Sequence, residues 1–303
     1  LRTLGEYGEK DRFNYGLYYH FDFVGSPHTS MWTNTMPLQR SWDNLTTAYE
    51  YGVDDAWMIN VGDLKPMELP LSYVMDMAYD FDTYGTAAAE DTDETITWEE
   101  YTLAWVKQQF AGGKGLTEED FQAIADILTD YTHLNGNRKP EQQANNTYSL
   151  TAYNEAQETL AFAQRLEENA NKYLEKFKGT DLYDAYYQLI YYTGVESATV
   201  NQVLIYWGLN RFYAGANSAL ANVYADKVDA MLANDRGYTA EYNKLGPQLN
   251  GKNKWYRMML ASPFNGETVC GITALGHLNY SGWNRDSAQP FSPTRVTLSE
   301  NGQ

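Results

Sequence analysis

The tightest constraint in this sequence is a pair of strand-like runs separated by one amphipathic helix. Tyr15 to Val24, YGLYYHFDFV, is aromatic and β-branched in the manner of a strand. Leu38, Trp42, Leu45, Ala48 and Tyr49 follow at helical spacing, and Gly52 stops that helix. Ala56 to Val61 is apolar except for Asn60, which predicts a parallel strand covered on both faces. A strand–helix–strand unit of this kind defaults to a right-handed parallel crossover. Groups that touch ligands then gather at the C-terminal strand ends. Here those ends carry His20 and Asp22, then Asn60, Asp63, Lys65 and Glu68.

Beyond this unit the periodicity becomes helical. Leu69 to Tyr79 reads as a helix, and the small, acidic stretch 87–97 reads as a boundary. Helices are predicted from Trp98 to Phe110 and from a Thr117 cap to about Leu134. A long helix then spans Leu150 to Phe177, and Asp181 can cap a nearly continuous helix to about Leu232, with Gly194 as its point of interruption. Lys254 to Leu260 reads as a short helix, and the rest of the C-terminal stretch as loop. The expected fold is α/β plus all-α: the terminal strand–helix units of a TIM-like (β/α) barrel over residues 1–90, a helical bundle over 91–250, and an irregular segment over 251–303.

Composition removes several functions. The formal charge of −18 argues against nucleic acid and anionic membranes as partners. No apolar run reaches the roughly 18 residues that membrane insertion needs. The single cysteine, Cys270, excludes an intrachain disulfide and a cysteine-rich metal site. No nucleophile elbow, phosphate loop, dinucleotide fingerprint or zinc-protease motif occurs, and His133 and His277 have no partner at metal-ligand spacing, so no metal is expected. Twenty-six tyrosines and eight tryptophans lean toward sugar stacking or, equally simply, toward an aromatic core.

The polar residues at the strand ends admit two readings each. His20 and Asp22 share a strand face and form either an acid/base or sugar-binding pair, or a hydrogen-bonded interior pair. Asn60 must find partners in protein, water or ligand, because a buried bare amide is costly. Asp63 and Lys65 form a turn-stabilising ion pair, or Lys65 meets a substrate carboxylate. Glu68, between two prolines, is a positioned carboxylate or a helix start. Trp32 and Asn34, in the loop after the first strand, suit sugar stacking and hydrogen bonding, or anchor a surface loop.

These stretches resemble glycoside hydrolase family 115, the xylan α-1,2-glucuronidases. The resemblance is carried by Tyr18-Tyr19-His20-Phe21-Asp22-Phe23-Val24-Gly25, Trp32-Thr33-Asn34-Thr35 and Asn60-Val61-Gly62-Asp63-Leu64-Lys65-Pro66-Met67-Glu68. It extends through Asn135-Gly136-Asn137-Arg138-Lys139-Pro140 and Thr147-Tyr148-Ser149-Leu150. It implies a barrel-like catalytic domain followed by a helical domain that commonly forms a homodimer. It also implies inverting, cofactor-free release of (4-O-methyl)-glucuronic acid from glucuronoxylan or aldouronic oligosaccharides. In that reading His20, Trp32, Asn34, Asn60, Asp63 and Lys65 bind substrate, while Asp22 and Glu68 are the local candidates for proton transfer. Where the family has Gly-Gly-Pro-Arg, this chain has Gly25-Ser26-Pro27-His28. The family's earlier strands and its Asp-Asp-Asn motif are expected upstream of Leu1, which would leave this chain inactive alone. A polysaccharide substrate favours an extracellular or periplasmic location over the cytoplasm. The rival reading is a non-catalytic carbohydrate-binding or assembly module.

Overall fold

The computed structural model describes residues 14–23, 33–62, 64–85, 95–113, 115–256 and 293–297, and the protein is mostly helical. Its described residues group into two compact units, one running to Gly136 and one from Asn137 onward. Contacts thus group the helices between residues 98 and 136 with the strands, whereas the division expected at residue 90 put them with the bundle. Among the described residues no helix is long and apolar enough to cross a membrane.

In the first unit, β1 (Gly16–His20) and β2 (Ala56–Asn60) pair in parallel, with His20 opposite Asn60. Between them runs α1 (Leu38–Glu50), which buries Leu38, Ser41, Leu45 and Ala48 along one stripe. It ends because Gly52 adopts φ 78°, which lets Gly52 N–H reach Tyr49 O at 2.7 Å and Val53 N–H reach Ala48 O at 3.0 Å. That double bond satisfies orphan carbonyls at the helix end. Then come α2 (Glu68–Tyr79) and the single turn α3 (Phe81–Tyr84). Next is α4 (Trp98–Phe110), whose Thr97 hydroxyl and Glu100 carboxylate close a reciprocal capping box. The last helix, α5 (Glu118–Asn137), starts from a similar exchange between Thr117 and Asp120. It continues past Leu134 because Asn135 is drawn inward, donating to Asn34 O at 3.0 Å.

One expectation for the sheet needs correcting. The strands are parallel, but β2 is not covered on both faces. Leu17, Tyr19, Trp57 and Ile59 share the half-buried face, while Tyr18 and Met58 on the other are 55% and 65% exposed. Among the described residues the sheet has two strands, with one face half-buried and the other exposed. The described residues thus form a strand–helix–strand unit and not a closed TIM-like barrel.

The second unit is built around α8 (Tyr192–Gly215). Every residue from Tyr192 to Tyr206 is buried, the signature of a helix enclosed on all sides. It follows α6 (Glu155–Phe177), the single turn α7 (Tyr183–Tyr186) and a π-helical stretch, Tyr187–Tyr191. It packs against α6 and against α9 (Leu220–Tyr242), after which a two-residue antiparallel pair, β3 (Gln248–Leu249) and β4 (Lys252–Asn253), closes the fold. The predicted continuous helix is thus broken at 216–219, where Asn217 takes φ 51°, and Gly194 lies inside the helix, fully enclosed. Asp181 makes no cap for α7. Of the short helix expected from Lys254, residues 254–256 form a turn and the remainder lies outside the described residues.

Candidate functional site

The parallel register brings His20 and Asn60 together at the C-terminal ends of β1 and β2, on the sheet face that is exposed among the described residues. Asn60 Oδ1 accepts from Gly62 N–H at 3.1 Å, which fixes the amide with Nδ2 toward His20 Nδ1, 3.2 Å away. His20 Nδ1 is also 3.1 Å from the backbone carbonyl of Asp22. The two neighbours ask for opposite protonation states. With Nδ1 bare the ring accepts from Asn60 and carries its proton on Nε2. With Nδ1 protonated it donates to the Asp22 carbonyl.

His20 thus meets Asp22 through the backbone carbonyl of Asp22. The strand ends at His20, and the chain bends at Phe21 and Asp22. Phe21 N–H remains tied to Asn60 O at 2.9 Å. The Asp22 carboxylate lies over Gly62, where a β-carbon would come 2.2 Å from Oδ2. Gly62 itself sits at φ 70°. Both the backbone conformation and the close approach of Asp22 require glycine at that position.

Beyond Gly62 the chain turns through a cis Lys65–Pro66 bond into α2. Lys65 and Glu68 form a direct ion pair, with side chains 11% and 28% exposed. Glu68 is at once the first residue of α2 and the partner of Lys65. Asn34 is placed differently. It is fully buried, its Oδ1 accepts from Met36 N–H at 2.8 Å, and its Nδ2 donates to Tyr131 Oη at 3.2 Å. Protein groups thus occupy both ends of this amide. Trp32 and Asp63 lie outside the described residues. Among the described residues no group of three or more His, Cys, Asp or Glu side chains is placed to hold a metal ion.

Sequence reasoning did not single out a small, partly open cleft beside Asn34, bounded by Gln39, Leu69, Trp98 and His133. His133 Nε2 meets Gln39 Oε1 there at 3.0 Å. The available signal was weak: His133 falls on the polar margin of α5, with no partner at a diagnostic spacing. Much of the tyrosine proves to be core, since Tyr73, Tyr131, Tyr186 and Tyr192 are enclosed almost completely.

Comparison with known proteins adds to this geometry. No curated protein sequence matches the chain. A solved structure described as a family GH115 4-O-methyl-α-glucuronidase, BtGH115A, with specificity for decorated arabinogalactans, is similar in fold at a TM-score of 0.64 and 22% identity. The alignment covers 94% of this chain and 32% of that one, so the chain spans about a third of that protein's length. The family profile that matches, over residues 1–142, is that of glycosyl hydrolase family 115. That interval carries His20, Asp22, Asn60, Lys65 and Glu68, and over it the chain is similar to glycoside hydrolase family 115.

Proposed function

We propose that this chain supplies one wall of the active site of an α-glucuronidase that releases (4-O-methyl)-glucuronic acid from a plant polysaccharide by inversion. The observation that carries the reading is the His20–Asn60–Asp22 group at the ends of two parallel strands, on their exposed sheet face. In a (β/α) barrel that face would look inward, and the strand ends would open on the substrate. His20 and Asn60 would then bind sugar hydroxyls, and Trp32 and Asp63 would join them from the adjoining loops. Asn34 would act by pinning the loop that follows β1.

Lys65 is the cation suited to a uronate. A substrate carboxylate arriving at Lys65 would compete with Glu68 for the ammonium. Glu68 or Asp22 would then serve as one member of the acid/base pair. The second member would lie across a gap of roughly 6.5 to 9.5 Å, the spacing that leaves room for the attacking water. The helical unit would carry the homodimer contact.

The test is uronic-acid release from aldouronic oligosaccharides and from decorated arabinogalactan, by this chain and by a version extended upstream. Release by the extended version, with loss on His20→Ala, supports the reading, and the preferred polymer names the substrate. Binding without release by either version would assign a carbohydrate-binding module instead.

A further inference from the structure

A second recognition site, unrelated to the strand ends, lies on the helical unit between α8 and α9. Asn210 of α8 is fully buried, and its Nδ2 donates to Ala221 O at 2.7 Å, which orients the amide. The same amide takes both backbone groups of Thr294: Thr294 N–H donates to Oδ1 at 2.9 Å, and Nδ2 donates to Thr294 O at 2.8 Å. Asn222 of α9 does the same for Val296, with both bonds at 2.8 Å. Residues i and i+2 thus present N–H and C=O to one side, which is the geometry of an extended strand. Each asparagine amide stands where a residue of a partner strand would stand.

Between the two held residues, Arg295 reaches α9. It donates to Asp226 Oδ1 at 2.8 Å and to Asp229 Oδ2 at 2.6 Å. Asn222, Asp226 and Asp229 fall at positions i, i+4 and i+7, one stripe of the helix. The amides read backbone and therefore accept any sequence, whereas the acidic pair selects a basic side chain. A helix pair with this equipment is a peptide receptor.

We propose that Asn210, Asn222, Asp226 and Asp229 form a docking site for an extended peptide with arginine at its centre, filled in cis by Pro293–Thr297. Nothing in the site depends on the glycosidase reading, and it would exist in an inactive chain. Occupancy makes it a latch, which holds residues 293–297 against the helical unit and yields to a competing basic strand.

Hydrogen exchange on the whole chain tests occupancy first. The Thr294 and Val296 amides should exchange at least about tenfold more slowly than in the free peptide Pro-Thr-Arg-Val-Thr, since each is held by a hydrogen bond that must open. Arg295→Glu, an exposed change that leaves the helices intact, should remove most of that protection. The vacated site should then capture the fluorescently labelled peptide in trans. Wild type should bind it at least roughly tenfold more weakly, because a tethered segment outcompetes a free one. Adding Asn222→Ala to Arg295→Glu should abolish capture. Unprotected amides in wild type, failure of the Arg295→Glu chain to bind the peptide, or equal binding by all three proteins would each overturn the proposal.

Discussion

Asn60 is held at both ends of its amide, by Gly62 N–H and by His20, so its replacement separates positioning from folding. Asn60→Ala would free the His20 ring while removing hydrogen bonds that are half-exposed, at a cost of about 1 kcal/mol. In the upstream-extended enzyme the same change is expected to lower uronic-acid release by about a hundredfold, as loss of an oriented acid/base or binding group does. Urea melts and release assays on the same preparation check both halves. A stability loss without an activity loss would make Asn60 purely structural. A second residue to test is Glu196, fully enclosed in α8. Among the described residues no hydrogen-bond donor reaches either of its oxygens, and the Asp235 carboxyl faces it. Burial first, then the neighbouring Asp235, hold the Glu196 carboxyl well above the usual carboxylate range. The sign follows: the unfolded chain ionises at the ordinary value and the native one does not. Stability is therefore full at low pH and falls as pH rises through that range, by up to about 1.4 kcal/mol per unit. Glu196→Gln should flatten the profile between pH 5 and 7 and stabilise the protein at neutral pH. Parallel profiles for the two proteins would contradict it.

Among the elements, the helices with chemical punctuation were legible and those without it were not. Trp98–Phe110 was legible because glycines follow Ala111, and the structure adds a Thr97–Glu100 capping box at its start. The break between α8 and α9 was missed, since Gly215-Ala216-Asn217-Ser218 contains no proline and its left-handed residue is an asparagine. The parallel pairing of β1 and β2 was readable from the strand–helix–strand order. Their half-bare sheet was not, because an apolar run does not say how many neighbours flank it. At the site, the meeting of His20 with Asn60 followed from both lying at strand ends. The buried amide of Asn34, the backbone role of Asp22 and the asparagine ladder holding 293–297 depend on partners about 70 to 100 positions away or on a local bend, which periodicity does not encode. Helix α8 yields its own prediction. A β-carbon at Gly208 would come 2.5 Å from the backbone carbonyl of Asn145, an atom with little freedom to retreat. Gly208→Ala should destabilise the helical unit by about 1–3 kcal/mol, despite alanine's better helix propensity. Circular dichroism melts decide it, and an unchanged or raised midpoint would show that the loop at Asn145 gives way.

On the scale of the whole molecule, charge sets how stability responds to salt. The chain carries 40 acidic against 22 basic residues, a net −18. Self-repulsion of that size favours expansion and is felt across the protein at low ionic strength, where the screening length is about 30 Å at 0.01 M. The opposing attractions are ion pairs such as Lys107–Glu118, Lys178–Glu175 and Arg295 with Asp226 and Asp229, whose side chains are largely exposed. Exposed pairs of this kind contribute about 0 to 1 kcal/mol each and are screened by the same salt. Repulsion among the unpaired carboxylates outweighs them, so adding salt should stabilise the fold. Raising potassium chloride from 0.01 M to 0.5 M at pH 7 is expected to increase Tm by several degrees, about 2–4 °C for each kcal/mol gained in a chain near this size. Chloride is the anion to use, because sulfate would strengthen burial by exclusion and confuse the two effects. A Tm that falls with potassium chloride would mean that the ion pairs outweigh the excess charge.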